Sequence, residues 1–325
     1  RDEKNDTLAS VGSPAWLAKQ LESFVLKLQN PSFNYTRLRN SNYLNVTERP
    51  DIRYQFGLDD SIPSDLVTPG SFPGRGSTDS YGVSSGLTLK FLTLQGAYNA
   101  NTNRTFVFGN IETRVQTVSY PNANFRLLRL ETLPFLKGLA HQSSISSTFN
   151  QSIERRYQVG DSLVLQSDTK NLSFSPLASW QTNWVRGITS TVDLTYSETV
   201  TNEFQGLVPL TNRSLTRGGS VSLAYTFSAP RGLSLPLLKG VRFASSLAMN
   251  LGFSYNRNTN YSGYAGGTST PIYDSSVLSA DLGMSYNFSA SITGGANFSY
   301  SQNNERIRNQ DTKRVSLNIW TNINF

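Results

Sequence analysis

The amino-acid sequence predicts an all-β fold: an antiparallel transmembrane β-barrel, or the C-terminal part of a larger one, with one short amphipathic helix near its N-terminus. Three observations point there. Apolar and polar residues alternate over many separate stretches, as in strands whose two faces meet different surroundings. No apolar run approaches the ~18 residues that a membrane-spanning helix needs, and mean hydropathy is −0.35. Aromatic residues are plentiful, with 15 Tyr and 18 Phe, against 2 Met and no Cys. A barrel is polar on average because only alternate residues meet lipid.

The closing stretch, TKRVSLNIWTNINF (312–325), is the clearest strand. Val315, Leu317, Ile319, Ile323 and Phe325 fall on one parity; Arg314, Ser316, Asn318, Asn322 and Asn324 fall on the other. Val315, Leu317, Ile319 and Ile323 are expected to face lipid, and the polar set to line a lumen. At about 3.3 Å per residue the stretch spans a bilayer even when tilted. The terminal Phe325, preceded by apolar residues in alternate places, resembles the signal by which bacterial outer-membrane barrels reach their insertion machinery. Thr321 breaks that pattern. An amphipathic edge strand of a soluble β protein is the alternative.

Residues 1–30 form an N-terminal segment. Ser13 and Pro14 suit an N-cap and first turn, and Leu17, Leu21, Phe24, Val25 and Leu28 follow helical spacing over 14–28. Residues 31–325 carry the strands. Short ones are expected at 33–39 and 51–57, and the Pro/Gly/Ser-rich 58–80 reads as an external loop. Further strands are expected over 83–99, 104–117, 122–132, 141–154 and 169–184. Clear alternation follows from Ile188, Val221, Val241, Leu278 and Ile292 onward.

The tally is about thirteen. An odd number whose last member runs inward implies a missed strand, or strands preceding Arg1. The pairs Tyr225/Phe227, Phe253/Tyr255, Tyr286/Phe288 and Phe298/Tyr300 read as an aromatic girdle near one end of the strands. With the last strand inward, 155–168, 199–217, 257–274 and 303–311 become long outer loops. The turns at Arg186-Gly187, 229–240 and 287–290 become short inner ones. LPFLKG (133–138) and LPLLKG (235–240) echo each other as inner turns.

Catalytic chemistry is sparse. His141 is the single His, placed in an alternating strand, so no catalytic pair is expected and the chain is read as not an enzyme. Asp59-Asp60 is a lone acidic pair; no metal cluster, P-loop or dinucleotide fingerprint occurs, and no cofactor is expected. Asn-x-Ser/Thr triplets at Asn34, Asn171, Asn287 and Asn297 follow from composition. The net charge of +7 fits contact with lipopolysaccharide phosphates or a basic lumen; no Lys/Arg run argues for nucleic acid.

Four stretches, ERPDIRYQFGL (48–58), NLSFSPLASW (171–180), LPLLKG (235–240) and the closing strand, resemble the C-terminal part of SprA-type proteins. These are the very large outer-membrane barrels of the type IX secretion system. The chain departs from that family in being much shorter. The resemblance implies a place in the wall of a translocon that passes folded cargo to the cell surface. It implies partners in secreted cargo and in plug and gating subunits; the closing strand adds barrel-assembly machinery, and the barrel and its net charge add outer-membrane lipid and lipopolysaccharide. It carries over no catalytic residues. A self-closing porin or a lipid- or lipopolysaccharide-handling barrel is the alternative, and an adhesive or structural soluble β protein is a third.

Overall fold

The computed structural model describes residues 27–42, 46–56, 58–59, 62, 66, 74–107, 111–160, 162–204, 208–233, 243–265, 267–288 and 291–323. They form one antiparallel sheet of twelve strands in chain order. The strands are β1 (Ser32–Asn42), β2 (Gly74–Thr88), β3 (Leu92–Val107), β4 (Ile111–Leu128), β5 (Ala140–Val159) and β6 (Leu163–Trp184). They continue as β7 (Ile188–Glu203), β8 (Leu210–Leu233), β9 (Phe243–Tyr264), β10 (Thr270–Asn287), β11 (Ile292–Glu305) and β12 (Gln310–Ile323). Each strand pairs with its chain neighbours, an up-and-down meander built from local hairpins. This is the expected all-β, antiparallel barrel-wall architecture.

The described residues hold twelve strands where about thirteen were expected. Where a strand was expected over 51–57, the described residues hold a helical turn, Ile52–Gln55, with Ile52 N donating to Asp51 Oδ1 at 2.7 Å. The expected strand 83–99 straddles the turn between β2 and β3, 104–117 covers the end of β3 and the start of β4, and β2 already begins at Gly74 inside the expected loop 58–80. With twelve strands, the start of β1 and the end of β12 fall on the same edge of the sheet, called the lower edge below. The odd-number argument does not apply to the twelve described strands. Residues 1–26 lie outside the described residues, and with them nearly all of the expected helix. Its last member, Leu28, is extended and bridges to Leu87.

The segments read as long outer loops are mostly strand. β9 runs on to Tyr264 before β10 starts at Thr270, and β11 to Glu305 before β12 starts at Gln310. The same holds for 155–168 and 199–217. Their polar residues do not alternate in hydrophobicity, yet the backbone ladder continues through them. The expected asymmetry of connection lengths therefore disappears, apart from 43–73 at the upper edge. In the echoed turns, 133–138 is a turn with Gly138 at φ 82°, while 235–240 lies outside the described residues.

No second layer covers this sheet among the described residues. Buried apolar residues are confined to Ile62, Leu130, Leu136, Ala140 and Leu215, whereas large apolar side chains stand exposed on strand after strand. A sandwich would bury one face of each sheet against the other. That packing is absent from the described residues.

The β6–β7 hairpin shows how tightly the ladder is set. Arg186 (φ 75°) and Gly187 (φ 78°), in its three-residue connection Val185–Gly187, both take the left-handed conformation. Gly187→Val is expected to cost roughly 1–2 kcal/mol, because a β-branched residue disfavours that conformation. Arg186→Asn should stay within about 0.5 kcal/mol, since Asn tolerates it. Urea unfolding of the refolded protein checks both.

Candidate functional site

The candidate site is the sheet's pair of faces. In antiparallel strands directly opposed residues share a face, so register carries a face from strand to strand. From Val315 one row runs Tyr300, Ala280, Phe253, Val221, Val192, Trp180, Ile145, Leu127 and Leu92. One residue along, from Arg314, the row runs Ser301, Ser279, Ser254, Ser220, Asp193, Ser179, Ser146, Arg126 and Thr93. One face is apolar across ten strands; the other is mostly hydroxylic, with Arg314, Asp193 and Arg126 among its members.

The residues expected to carry function in β12 divide accordingly. Val315, Leu317, Ile319 and Ile323 lie on the apolar face, exposed at 64%, 66%, 74% and 51%. They stand opposite Tyr300, Phe298, Ala296 and Ile292. Arg314, Ser316, Asn318 and Asn322 lie on the other face, opposite Ser301, Ser299, Asn297 and Thr293. Asn324 and Phe325 lie outside the described residues. Trp320 was missed: it sits on the polar face opposite Gly295, where a Cβ would stand 2.7 Å from its ring. The Gly294-Gly295 pair was the available signal.

The apolar face is a belt with limits. In β9 it spans Leu247, Met249, Leu251, Phe253 and Tyr255, about 26 Å along the strand. Arg257 follows on the same face. Tyrosines mark the change from apolar to polar or charged: Tyr35, Tyr81, Tyr196, Tyr255 and Tyr300. The single girdle expected from the sequence is two. Tyr255 and Tyr300 sit at the upper margin, but Tyr225 and Tyr286 sit at the lower one. Successive strands run in opposite directions, so late positions in neighbouring strands fall at opposite edges.

The upper tyrosines also give the strand tilt. Followed by register, Tyr81 reaches β7 at Val200, four residues above Tyr196. Tyr196 reaches β11 at Asn304, four residues above Tyr300. That is close to one residue of descent per strand. With a rise of ~3.3 Å and strands ~4.8 Å apart, the row lies level if the strands tilt by about 31°. Transmembrane barrels tilt by about 35–45°.

Above the tyrosines the apolar face gives way to ion pairs. Arg155 lies 3.4 Å from Asp168, Arg213 2.7 Å from Glu198 and Arg257 2.7 Å from Asp274. The polar face is close to neutral. At belt depth its charged residues are Arg126, Asp193, Asp281 and, at the margin, Arg314, among the described residues. Elsewhere its hydroxyls and amides bond one another across strands. Asn101 Nδ2 donates to Ser80 Oγ (3.1 Å), Thr199 Oγ1 to Asn171 Oδ1 (2.8 Å) and Ser262 Oγ to Asn212 Oδ1 (2.8 Å).

His141 is exposed near the start of β5. Asp59 lies 3.6 Å from Arg53, and Asp60 lies outside the described residues. Among the described residues no three His, Cys, Asp or Glu side chains converge on a metal position.

No protein-family model and no curated protein matches the chain. Among solved structures it is similar to the β domain of the Bordetella autotransporter Brka, at 8% identity and a TM-score of 0.28. That similarity covers 92% of this chain and 100% of the other. At that level the likeness carries no weight for fold or function; the pairing register does.

Leu251 and Asn250 test the two faces at nearly one depth. Leu251→Arg is expected to destabilise by roughly 2–4 kcal/mol, the cost of a cation facing mid-bilayer. Asn250→Arg should cost far less. Urea titration of folding into lipid vesicles reads both, and equal costs would contradict the assignment of faces.

Proposed function

We propose that the chain forms the wall of an outer-membrane channel, with its apolar face in lipid and its hydroxyl/amide face lining the passage. The observation behind this is the adjacent pair of rows, apolar and polar one residue apart across ten strands, with no second layer to cover the apolar one among the described residues. A sheet in lipid must satisfy its backbone laterally, which the meander does. The upper edge, with its band of ion pairs and the 43–73 connection, faces outward. The lower edge faces the periplasm.

Polypeptide export is the function this wall suits, in the manner of the SprA-type translocon its sequence resembles. A lining of Ser, Thr, Asn and Gly presents hydrogen-bonding groups of both kinds and little fixed charge, so it holds passing segments of neither sign. Secreted cargo, plug and gating subunits, assembly machinery and outer-membrane lipid are the partners of this reading. No residue in it is assigned a catalytic role.

A second reading has its own support. An even strand number with both sheet ends on one edge is the pattern of a barrel that closes on itself. This would be a porin-like channel. The absence of native Cys makes the two separable. Cysteine pairs scanned between β1 and β12 should oxidise to an intramolecular disulfide only if those strands meet.

A photo-crosslinking residue at Ser254 is expected to trap secreted polypeptide in actively exporting cells, while one at Phe253 traps lipid. A protein that conducts ions without weighting their sign, yet yields no cargo adduct at Ser254, would favour the porin.

A further inference from the structure

One cluster of arginines stands above the belt at the β1 end of the sheet. At the upper ends of β1, β2 and β3 lies a pocket of about 240 Å³, lined by Arg37, Arg39, Arg75, Ser77, Arg104 and Phe106. Tyr54 and Asp59 from the 43–73 connection close its side. Register explains the ring. Ser77 is directly opposed by Arg39 on one neighbour and by Arg104 on the other. Arg75, two places along β2 on the same face, is opposed by Phe106. A short hydroxyl side chain thus floors a depression between long cationic ones. Opposed residues are about 5 Å apart and same-face neighbours about 7 Å, so the guanidinium groups share the space of one or two phosphates.

Two of the arginines, Arg75 and Arg104, stand apart from the carboxylates of the region. Arg37 lies 3.4 Å from Asp79, and Asp59 lies 3.6 Å from Arg53. Among the described residues no carboxylate reaches Arg75 or Arg104 within 4.0 Å. Arg75 stacks on Phe106, 4.7 Å from the ring centre, and its buried Nε has no acceptor. The neighbouring Arg114, by contrast, is held by Glu112 at 2.8 Å.

Position adds a second constraint. Tyr81 lies four residues below Ser77, about 13 Å along β2, and its ring packs 4.9 Å from that of Tyr35. Below them Val83 and Phe33 stand exposed in the apolar belt. A ligand seated among the arginines would therefore have its lower part against an apolar strip.

We infer that this pocket binds the phosphate of a phosphorylated outer-leaflet lipid, with its acyl chains lying on the strip formed by Phe33, Val83, Tyr35 and Tyr81. Guanidinium forks match phosphate oxygens in two-point contact, and an aromatic stack holds one fork in place. The inference rests on the membrane reading given above, in which the upper edge faces outward.

The test uses the whole protein in detergent micelles, where conduction and export play no part. Binding of bisphosphorylated lipid A is measured by calorimetry for the native protein, for the double variant Arg75→Gln/Arg104→Gln and for Arg155→Gln, a control from a matched pair. Retained heat-modifiable migration shows that each is folded. The double variant is expected to lose about tenfold or more in affinity, as befits lost charge-assisted bonds. The control should change little, and dephosphorylated lipid A should bind all three equally weakly.

Should the double variant fail to fold, Ser77→Glu places an anion on the pocket floor and is expected to give the same loss. Unchanged lipid A affinity in a folded pocket variant would overturn the inference. So would inorganic phosphate binding as tightly as lipid A, since the ligand would then be the free anion. Lipid A binding by a protein that neither conducts nor exports would sink the channel and leave the site standing.

Discussion

In a sheet one layer thick, the register between neighbours decides what each face presents. Side chains alternate, so a slip of one residue between any two strands would set serines against valines across the whole face. The rows through Val315 and Arg314 stay apart over ten strands because the described irregularities respect this constraint. Across Ser175-Pro176-Leu177, β6 carries two extra residues relative to β7, and Phe174 and Ala178 remain on one face. At Tyr120-Pro121 β4 carries one extra. Its parity therefore switches, from Val118 before to Ala123 and Phe125 after, and the face is preserved. Proline suits such places because the bulge leaves a position that need not donate.

Those same features decided what could be read from the sequence. From β8 to β12 the apolar set keeps one parity within each strand, and the strands were legible together with the division of β12 into its two faces. Between β2 and β6 the signal failed for identifiable reasons. The turn after β2 is Leu-Lys-Phe, without Gly, Pro or Asn; it is closed by Leu89 N donating to Leu92 O at 2.7 Å. Nothing in its composition announces it. The parity switch at Tyr120-Pro121 made one strand look like two. Beyond the tyrosines, Ser, Thr, Asn and Arg occupy both faces, so strand ends resembled loops. The arginine pocket was illegible for a further reason: it gathers residues from three strands whose register no local pattern specifies.

The two faces solve different problems with the same backbone. The apolar side is uniform in depth and bounded by tyrosines, whose rings are at ease where hydrocarbon meets headgroups. The polar side spends its hydrogen-bonding capacity internally, as in the Asn171 amide, which donates to Ser152 and accepts from Thr199. A wall satisfied in this way has little drive to grip what touches it. Charge is instead concentrated above the belt, where carboxylates and guanidinium groups largely neutralise one another.

The near-constant descent of the tyrosine row also fixes a dimension. Closed on themselves, twelve strands tilted by about 31° would form a cylinder about 21 Å across its backbone, with a bore on the order of 10 Å inside the inward side chains. An extended polypeptide threads such a bore. A folded domain of about 100 residues, with a radius of gyration near 13 Å, does not. At the same tilt its passage needs a backbone cylinder about twice as wide, and so roughly twenty-five strands or more. Circumference, and no single side chain, separates a thread from a folded passenger.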